Sequence, residues 1–136
     1  MSRVEDYEEL PDSMDADEVA RCFEQLLRQA KEPGVSADSV IEALWHLADR
    51  QYHTYERLRP DLRDGVEKWL STNWRTMSEW VDRIGMIAGA IGLPGVVSLL
   101  ETSLADQAPG PLRDEIQETL REFRAHIEDP YWGLRR

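Results

Sequence analysis

Apolar residues recur at helical spacing along almost the whole chain, and no stretch alternates with the period of two that a half-buried strand requires. The clearest case is Met77, Trp80, Val81, Ile84, Ile87, Ala88 and Ile91. Gly92-Leu93-Pro94-Gly95 then interrupts the run before Val96, Val97, Leu99 and Leu100 resume it. The spacing predicts two helices folded back on one another. Gly85, Ala88, Gly89 and Ala90 leave one flank of the first without bulk, so a neighbouring helix can come close there. That helix is expected to be the most buried element.

The same reasoning supplies the remaining elements. Asp15 or Asp17 caps a first helix whose apolar face is Val19, Cys22, Phe23, Leu26, Leu27 and Ala30, ended by Pro33-Gly34. Ser36 or Asp38 opens a second, in which Val40, Ile41, Leu44, Trp45, Leu47 and Ala48 cover more than one narrow stripe and therefore call for neighbours on two sides. This helix frays into a polar, aromatic connector over Gln51 to Leu58. Pro60 suits a first turn, and Leu62, Val66, Trp69 and Leu70 define a third helix, weakened modestly by Gly65. The fourth is the run from Thr76 or Ser78, and the fifth spans about Gly95 to Ala105. After Ala108-Pro109-Gly110-Pro111, a sixth from Leu112 to about Ile127 has one apolar stripe and one charged side, as an end cap would. Bulky groups in Tyr131-Trp132-Gly133-Leu134 are expected to fold back on it. The fold class is thus all-α, about six helices in stacked antiparallel hairpins. Residues 1–14 are an acidic arm with too little apolar surface to offset its ordering entropy, and residues 15–136 are a single helical domain.

Short similarities recur in order. Pro33-Gly34-Val35 matches Pro94-Gly95-Val96, and Leu47-Ala48-Asp49 matches Leu104-Ala105-Asp106. Leu62-Arg63-Asp64-Gly65-Val66 matches Leu112-Arg113-Asp114-Glu115-Ile116. They read as two three-helix units, each burying a face that the other leaves exposed.

Charge narrows the partners. The net charge is −11, and residues 1–18 hold eight acids against Arg3, so that segment carries −7 and the rest only −4. This balance repels nucleic-acid phosphate and anionic membrane surfaces and favours a basic partner. No apolar run approaches the roughly 20 residues of a spanning helix. The N-terminus lacks a signal-peptide pattern and Cys22 is a lone thiol, so a cytoplasmic chain, monomeric when free, is expected. The dominance of Arg over Lys suggests a bacterial source.

No residue pattern spells out a reaction. Glu42, His46, Asp49 and His53 stand at helical spacings along the second helix, but the zincin pattern is absent and no cysteine assists. Cys22 sits among apolar residues and suits a small buried hydrophobe better than a nucleophile. Neither a catalytic triad nor a phosphate loop with its Lys is present, so no catalytic, cofactor or metal residue is assigned. Of the five Trp residues, Trp69 and Trp80 fall on core stripes, whereas Trp45 and Trp74 have less reason to be buried. Aromatic groups dominate protein interfaces. The candidate partner-binding residues are therefore Trp45, Tyr52, Tyr55 and Trp74 with Glu8, Glu9, Asp12, Glu42, His46 and Asp49 around them.

Two resemblances enter at this point. Ala88 to Leu120, with Ala90-Ile91-Gly92 at one helix end, Pro94, Val97, Leu100 and Leu104 in the next, Asp106, Pro109 and then Leu112-Arg113 opening a third, resembles the HEAT-repeat pattern. This implies an α-solenoid-like stack whose surface binds another protein; the connector Gln51 to Arg59 departs from the pattern. A small, acidic, single-domain helical chain without catalytic residues also resembles, in general character, the immunity proteins of contact-dependent and type VI secretion toxin systems. That resemblance implies occlusion of a basic toxin domain, for instance a nuclease. The alternative is a HEAT-like adaptor or regulatory subunit unrelated to toxins.

Overall fold

A computed structural model describes residues 7, 9–11 and 13–123. Six helices follow in order: α1 (Ala16–Gln29), α2 (Ala37–Tyr52), α3 (Pro60–Asn73), α4 (Ser78–Ile91), α5 (Gly95–Ala105) and α6 (Pro111–Phe123), with no strand among the described residues. Local chemistry sets their ends. Asp15 accepts from the Glu18 N–H at 2.9 Å and Ser36 Oγ from the Ser39 N–H at 3.1 Å, satisfying donors that a first turn leaves open. The Asp15 carboxyl is held below its usual range by that backbone bond. Gly92, at φ 72°, closes α4 in the left-handed conformation and donates to the Ala88 carbonyl at 2.9 Å. The expected continuation of the sixth helix to Ile127 and the closing Tyr131 and Trp132 lie outside the described residues.

The helices form two layers, α1, α3 and α5 in one and α2, α4 and α6 in the other, with α1 packed on α2 and α5 on α6 across them. Within each layer the helices run parallel. Asp38, Glu42 and Trp45 of α2 meet Trp80, Arg83 and Met86 of α4 in the same order. Ser78 lies against Glu115, and further along α4 Gly85 and Gly89 lie against Phe123. In the other layer Leu27 faces Gly65, Glu67 reaches the Gly95 N–H, and Trp74 meets Ser103. The stack therefore repeats with each pair of helices. The sequence matches join α2 with α5 and α3 with α6, which belong to opposite layers, so they do not mark the stacking unit.

The small-residue flank of α4 behaves as its composition predicts. A Cβ on Gly85 would stand 3.3 Å from Phe123 Cζ, and one on Gly89 3.4 Å from Phe123 Cε1, so α6 closes on this flank. The most buried helix is nevertheless α2, with eight buried residues against six in α4. Its broad apolar arc is covered by α1 on one side and α4 on the other, whereas α4 leaves Glu79, Asp82 and Met86 exposed.

A tryptophan cluster ties four helices together. Trp80 is 1% exposed. It stacks on Trp69 of α3 at 6.0 Å and 17° and meets Trp74 edge-on at 6.0 Å. Its indole N–H donates to Asp38 Oδ1 of α2 at 2.9 Å, and the Arg75 guanidinium lies 5.5 Å over its ring. Trp74 in turn donates to Ser103 Oγ of α5 at 2.8 Å. The apolar bodies of these rings pack together, and the Trp80 and Trp74 indole N–H groups each find a partner.

The described part of the segment expected to be a mobile arm is seated on the helices. Tyr7 is buried, with its hydroxyl 3.2 Å from Gln29 Oε1 and 3.4 Å from the Cys22 carbonyl oxygen. The buried Arg50 donates to the Leu10 carbonyl at 2.8 Å and to the Pro11 carbonyl at 3.2 Å. One aromatic and one guanidinium thus hold the described residues of this segment. Burial, reinforced by Cys22 and opposed by Arg28, pushes the Tyr7 hydroxyl up to about 12. Burial likewise raises the Cys22 thiol, with Glu18 adding to the effect and Arg21 opposing it.

Two measurements check this packing. Trp80→Phe keeps an aromatic ring but loses the bond to Asp38 and part of the buried indole, and should cost about 1–3 kcal/mol in urea unfolding. Asp38→Ala should cost less, and the double variant should show about 0.5–1.5 kcal/mol of coupling, because both changes break one bond. For Tyr7, the folded value stands above the unfolded one of about 10. Its contribution is complete below that value and is lost as pH rises from there through about 12. Tyr7→Phe should lessen the alkaline fall of the urea midpoint relative to the parent chain; an identical fall would contradict the burial of Tyr7.

Candidate functional site

The parallel register of α2 and α4 brings their C-terminal halves side by side and leaves a groove of about 230 Å³ between them, lined by Trp45, Asp49, Tyr52, Met86, Gly89 and Ala90. Helical spacing explains the set. Trp45, Asp49 and Tyr52 lie on one face of α2 at i, i+4 and i+7, and Met86 and Ala90 on one face of α4. The missing side chain of Gly89 and the short one of Ala90 keep the floor shallow. Met86 is 48% exposed, and its sulfur lies 3.0 Å from the Trp45 indole nitrogen, which donates to it. Arg83 bridges the two helices. Its guanidinium sits 4.5 Å over the Trp45 ring, its Nε donates to Glu42 at 2.7 Å, and Asp82 lies 3.4 Å away. The Trp45 ring is thus held between an arginine and a methionine, fixed in orientation while still partly open to solvent.

On the other flank of α4 a second groove, of about 440 Å³, runs between α4 and α6 and is lined by Ser78, Glu79, Val81, Asp82, Glu115, Glu118, Thr119 and Glu122. Five of these eight are carboxylates. Ser78 donates to the Glu115 carboxylate at 2.8 Å, which fixes that carboxylate near the groove's end. Together the two grooves give the α2–α4–α6 layer an aromatic and apolar furrow beside an acidic one. Such a face suits recognition of a basic surface carrying an apolar projection.

Of the predicted site residues, Trp45, Asp49 and Tyr52 come together in the first groove, with Glu42 adjacent through Arg83 and the His46 ring tilted against Trp45 at 4.7 Å. Tyr55 lies beyond the end of α2, 68% exposed and held at φ 58°, a left-handed conformation uncommon for a bulky residue. Trp74 sits elsewhere, half-buried beside Trp80 and Ser103. Glu9 is exposed, and Glu8 and Asp12 lie outside the described residues. Glu42, His46, Asp49 and His53 do not converge. Glu42 turns to Arg83, and His53 Nδ1 lies 2.7 Å from the Asp49 carbonyl oxygen. Among the described residues no group of three or more His, Cys, Asp or Glu side chains is gathered as metal ligands would be, and no helix is long and apolar enough to cross a membrane.

Sequence reasoning missed the α4 half of this face. Glu79, Asp82, Arg83 and Met86 recur at i, i+3, i+4 and i+7 opposite the Trp80–Ile84–Ile87–Ile91 stripe. That is a second face of the same helix, visible in the sequence but eclipsed by the stronger apolar one. No protein-family model matches the chain, and comparisons with characterised proteins and with solved structures give no significant similarity.

The Arg83 bridge is partly exposed, so its ion pairs should matter little to the fold. Arg83→Gln is expected to change stability by less than about 1 kcal/mol in urea unfolding. It should also shift the Trp45 emission as the ring loses its cationic cover. A larger destabilisation would mean that the bridge, rather than the apolar contact beneath it, holds α2 to α4.

Proposed function

We propose that this chain is a HEAT-like helical stack that recognises protein, and that it acts as an immunity protein. In this reading it binds a cognate bacterial toxin domain and covers the basic surface, for instance that of a nuclease, on which the toxin holds its substrate. The observation that carries the reading is the α2–α4–α6 face, where an aromatic furrow and a furrow with five carboxylates share one helix. Its parts divide the work. Trp45, Tyr52 and Met86 offer apolar area with few rotamers to freeze, the property of residues that dominate interface energies. The carboxylates of Glu79, Asp82, Glu118 and Glu122 would stand where phosphates sit on a nuclease, speed encounter and orient the partner. Free of its partner the chain is a cytoplasmic monomer, without cofactor or metal, that catalyses nothing.

The second reading keeps the same face and changes the partner to a component unrelated to toxins, for which the chain is an adaptor or regulatory subunit. Two layers of parallel helices favour such a scaffold as much as they favour an inhibitor. Co-expression separates the two, since only an immunity protein rescues growth of cells producing the toxin encoded beside it.

Co-purification with that toxin domain, and protection of cells expressing it, is the expected result. Trp45→Ala should weaken the complex at least tenfold, about 1.4 kcal/mol. Glu118→Lys combined with Glu122→Lys should slow association and flatten its salt dependence without unfolding the chain. No complex and no protection would reject the toxin reading. Binding unaltered by either set of changes would reject this face.

A further inference from the structure

The layer that turns away from this face has a groove of its own, about 340 Å³, between the end of α1 with the turn after it and the C-terminal part of α3. Leu27, Ala30 and Trp69 make its walls apolar, and Gly65 forms its floor. A Cβ at Gly65 would stand 2.9 Å from Leu27 Cδ1, so the missing side chain is what lets the two helices meet there. Lys68 of α3 and Lys31, in the turn that follows α1, stand on its rim. They are the only lysines of the chain, whose other basic residues are all arginine. Both are exposed, and among the described residues neither ammonium group forms an ion pair or hydrogen bond, although the chain carries 27 acids against 16 bases. Several arginines, by contrast, are engaged: Arg59 with Glu24 and Asp61, Arg83 with Glu42, Arg113 with backbone carbonyls.

From this arrangement we infer that the α1–α3 groove is a binding site for a small amphiphilic anion, a carboxylate on a short apolar tail. The tail lies along Leu27, Ala30 and Trp69, and the carboxylate is held between the Lys31 and Lys68 ammonium groups. Dimensions favour a small molecule over a partner helix. The volume lies at the low end of small-molecule sites, about 300–1,000 Å³. The groove also extends only from Gly65 to Asn73, about 12 Å at ~1.5 Å of rise per residue, too short to seat the repeated anchors of a docked helix. Two ammonium groups beside an apolar wall select for charge sign as well as for the tail: a cation with the same tail meets like charge, and a neutral alcohol gains the apolar contact alone. Trp69, stacked at 6.0 Å on Trp80, reports occupancy through its fluorescence.

The test titrates the full chain with decanoate, with decanol and with decyltrimethylammonium, following tryptophan emission and the NMR shifts of the Leu27 methyl and Trp69 indole protons. Decanoate is expected to bind saturably and at least tenfold more tightly than either of the others. Lys31→Gln with Lys68→Gln should abolish that preference while leaving the helical circular dichroism unchanged, and Ala30→Leu should block the tail with both lysines intact. Equal binding of all three amphiphiles, decanoate binding unaffected by the lysine changes, or shifts confined to residues outside the groove would overturn the assignment. So would an acidic peptide that shifts Leu27 and Trp69 and is not displaced by decanoate, since the occupant would then be a protein. The outcome is independent of whether the opposite face binds a toxin.

Discussion

The parallel contact between α2 and α4 is the constraint on which the rest of this molecule depends. Asp38 with Trp80, Glu42 with Arg83 and Trp45 with Met86 form successive rungs, each joining one residue of α2 to the residue 41 or 42 positions later. Beneath these rungs Val40, Leu44 and Leu47 of α2 and Ile84, Ile87 and Ile91 of α4 are buried. The apolar layer provides most of the energy, at roughly 1.5–3 kcal/mol for each large side chain removed from water. The polar rungs set which residues lie opposite one another. Parallel neighbours in one layer require the chain to return through the other, so α3 is fixed in place once α2 and α4 are paired, and the Trp69–Trp80 stack is where that return helix is held.

How much of this could be read from the chain follows from the kind of signal each feature leaves. The helices, their caps at Asp15 and Ser36, the Gly92 turn and the close flank at Gly85 and Gly89 are local, and periodicity with capping chemistry specifies them. Which helices neighbour one another is not local. The Pro-Gly and Leu-Arg-Asp matches therefore suggested a three-helix unit, while the layers repeat every two. Tyr7 illustrates a related limit: nothing in the composition of its acidic surroundings shows that its phenol is placed against Gln29 and Cys22, because α1 supplies that site. Gly65 reads in sequence as a weak point of a helix. In space its absent side chain lets α3 approach Leu27.

The candidate site was half legible for the same reason. Trp45, Asp49 and Tyr52 share a face of α2 and could be grouped from spacing, but Met86 and Arg83 complete the groove from another helix 41 residues away. Trp74 lies in a short polar connector, and tertiary structure places it beside Ser103 and Trp80, away from the groove and still partly exposed. The charge distribution has a comparable history. Much of the acidity lies near the N-terminus, yet α4 and α6 build a furrow with five carboxylates, from residues that merely look like the solvated sides of two helices.

Parallel pairing of α2 with α4 is tested most directly by nuclear Overhauser effects from the Met86 methyl group. The account predicts cross-peaks to the Trp45 indole N–H and ring protons, together with effects between the Trp80 indole proton and residues of the first turn of α2. Contacts from Met86 to the Asp38 end of α2, with none to Trp45, would mean that the two helices run in opposite directions, and the two grooves, the register and the proposed binding face would fall together.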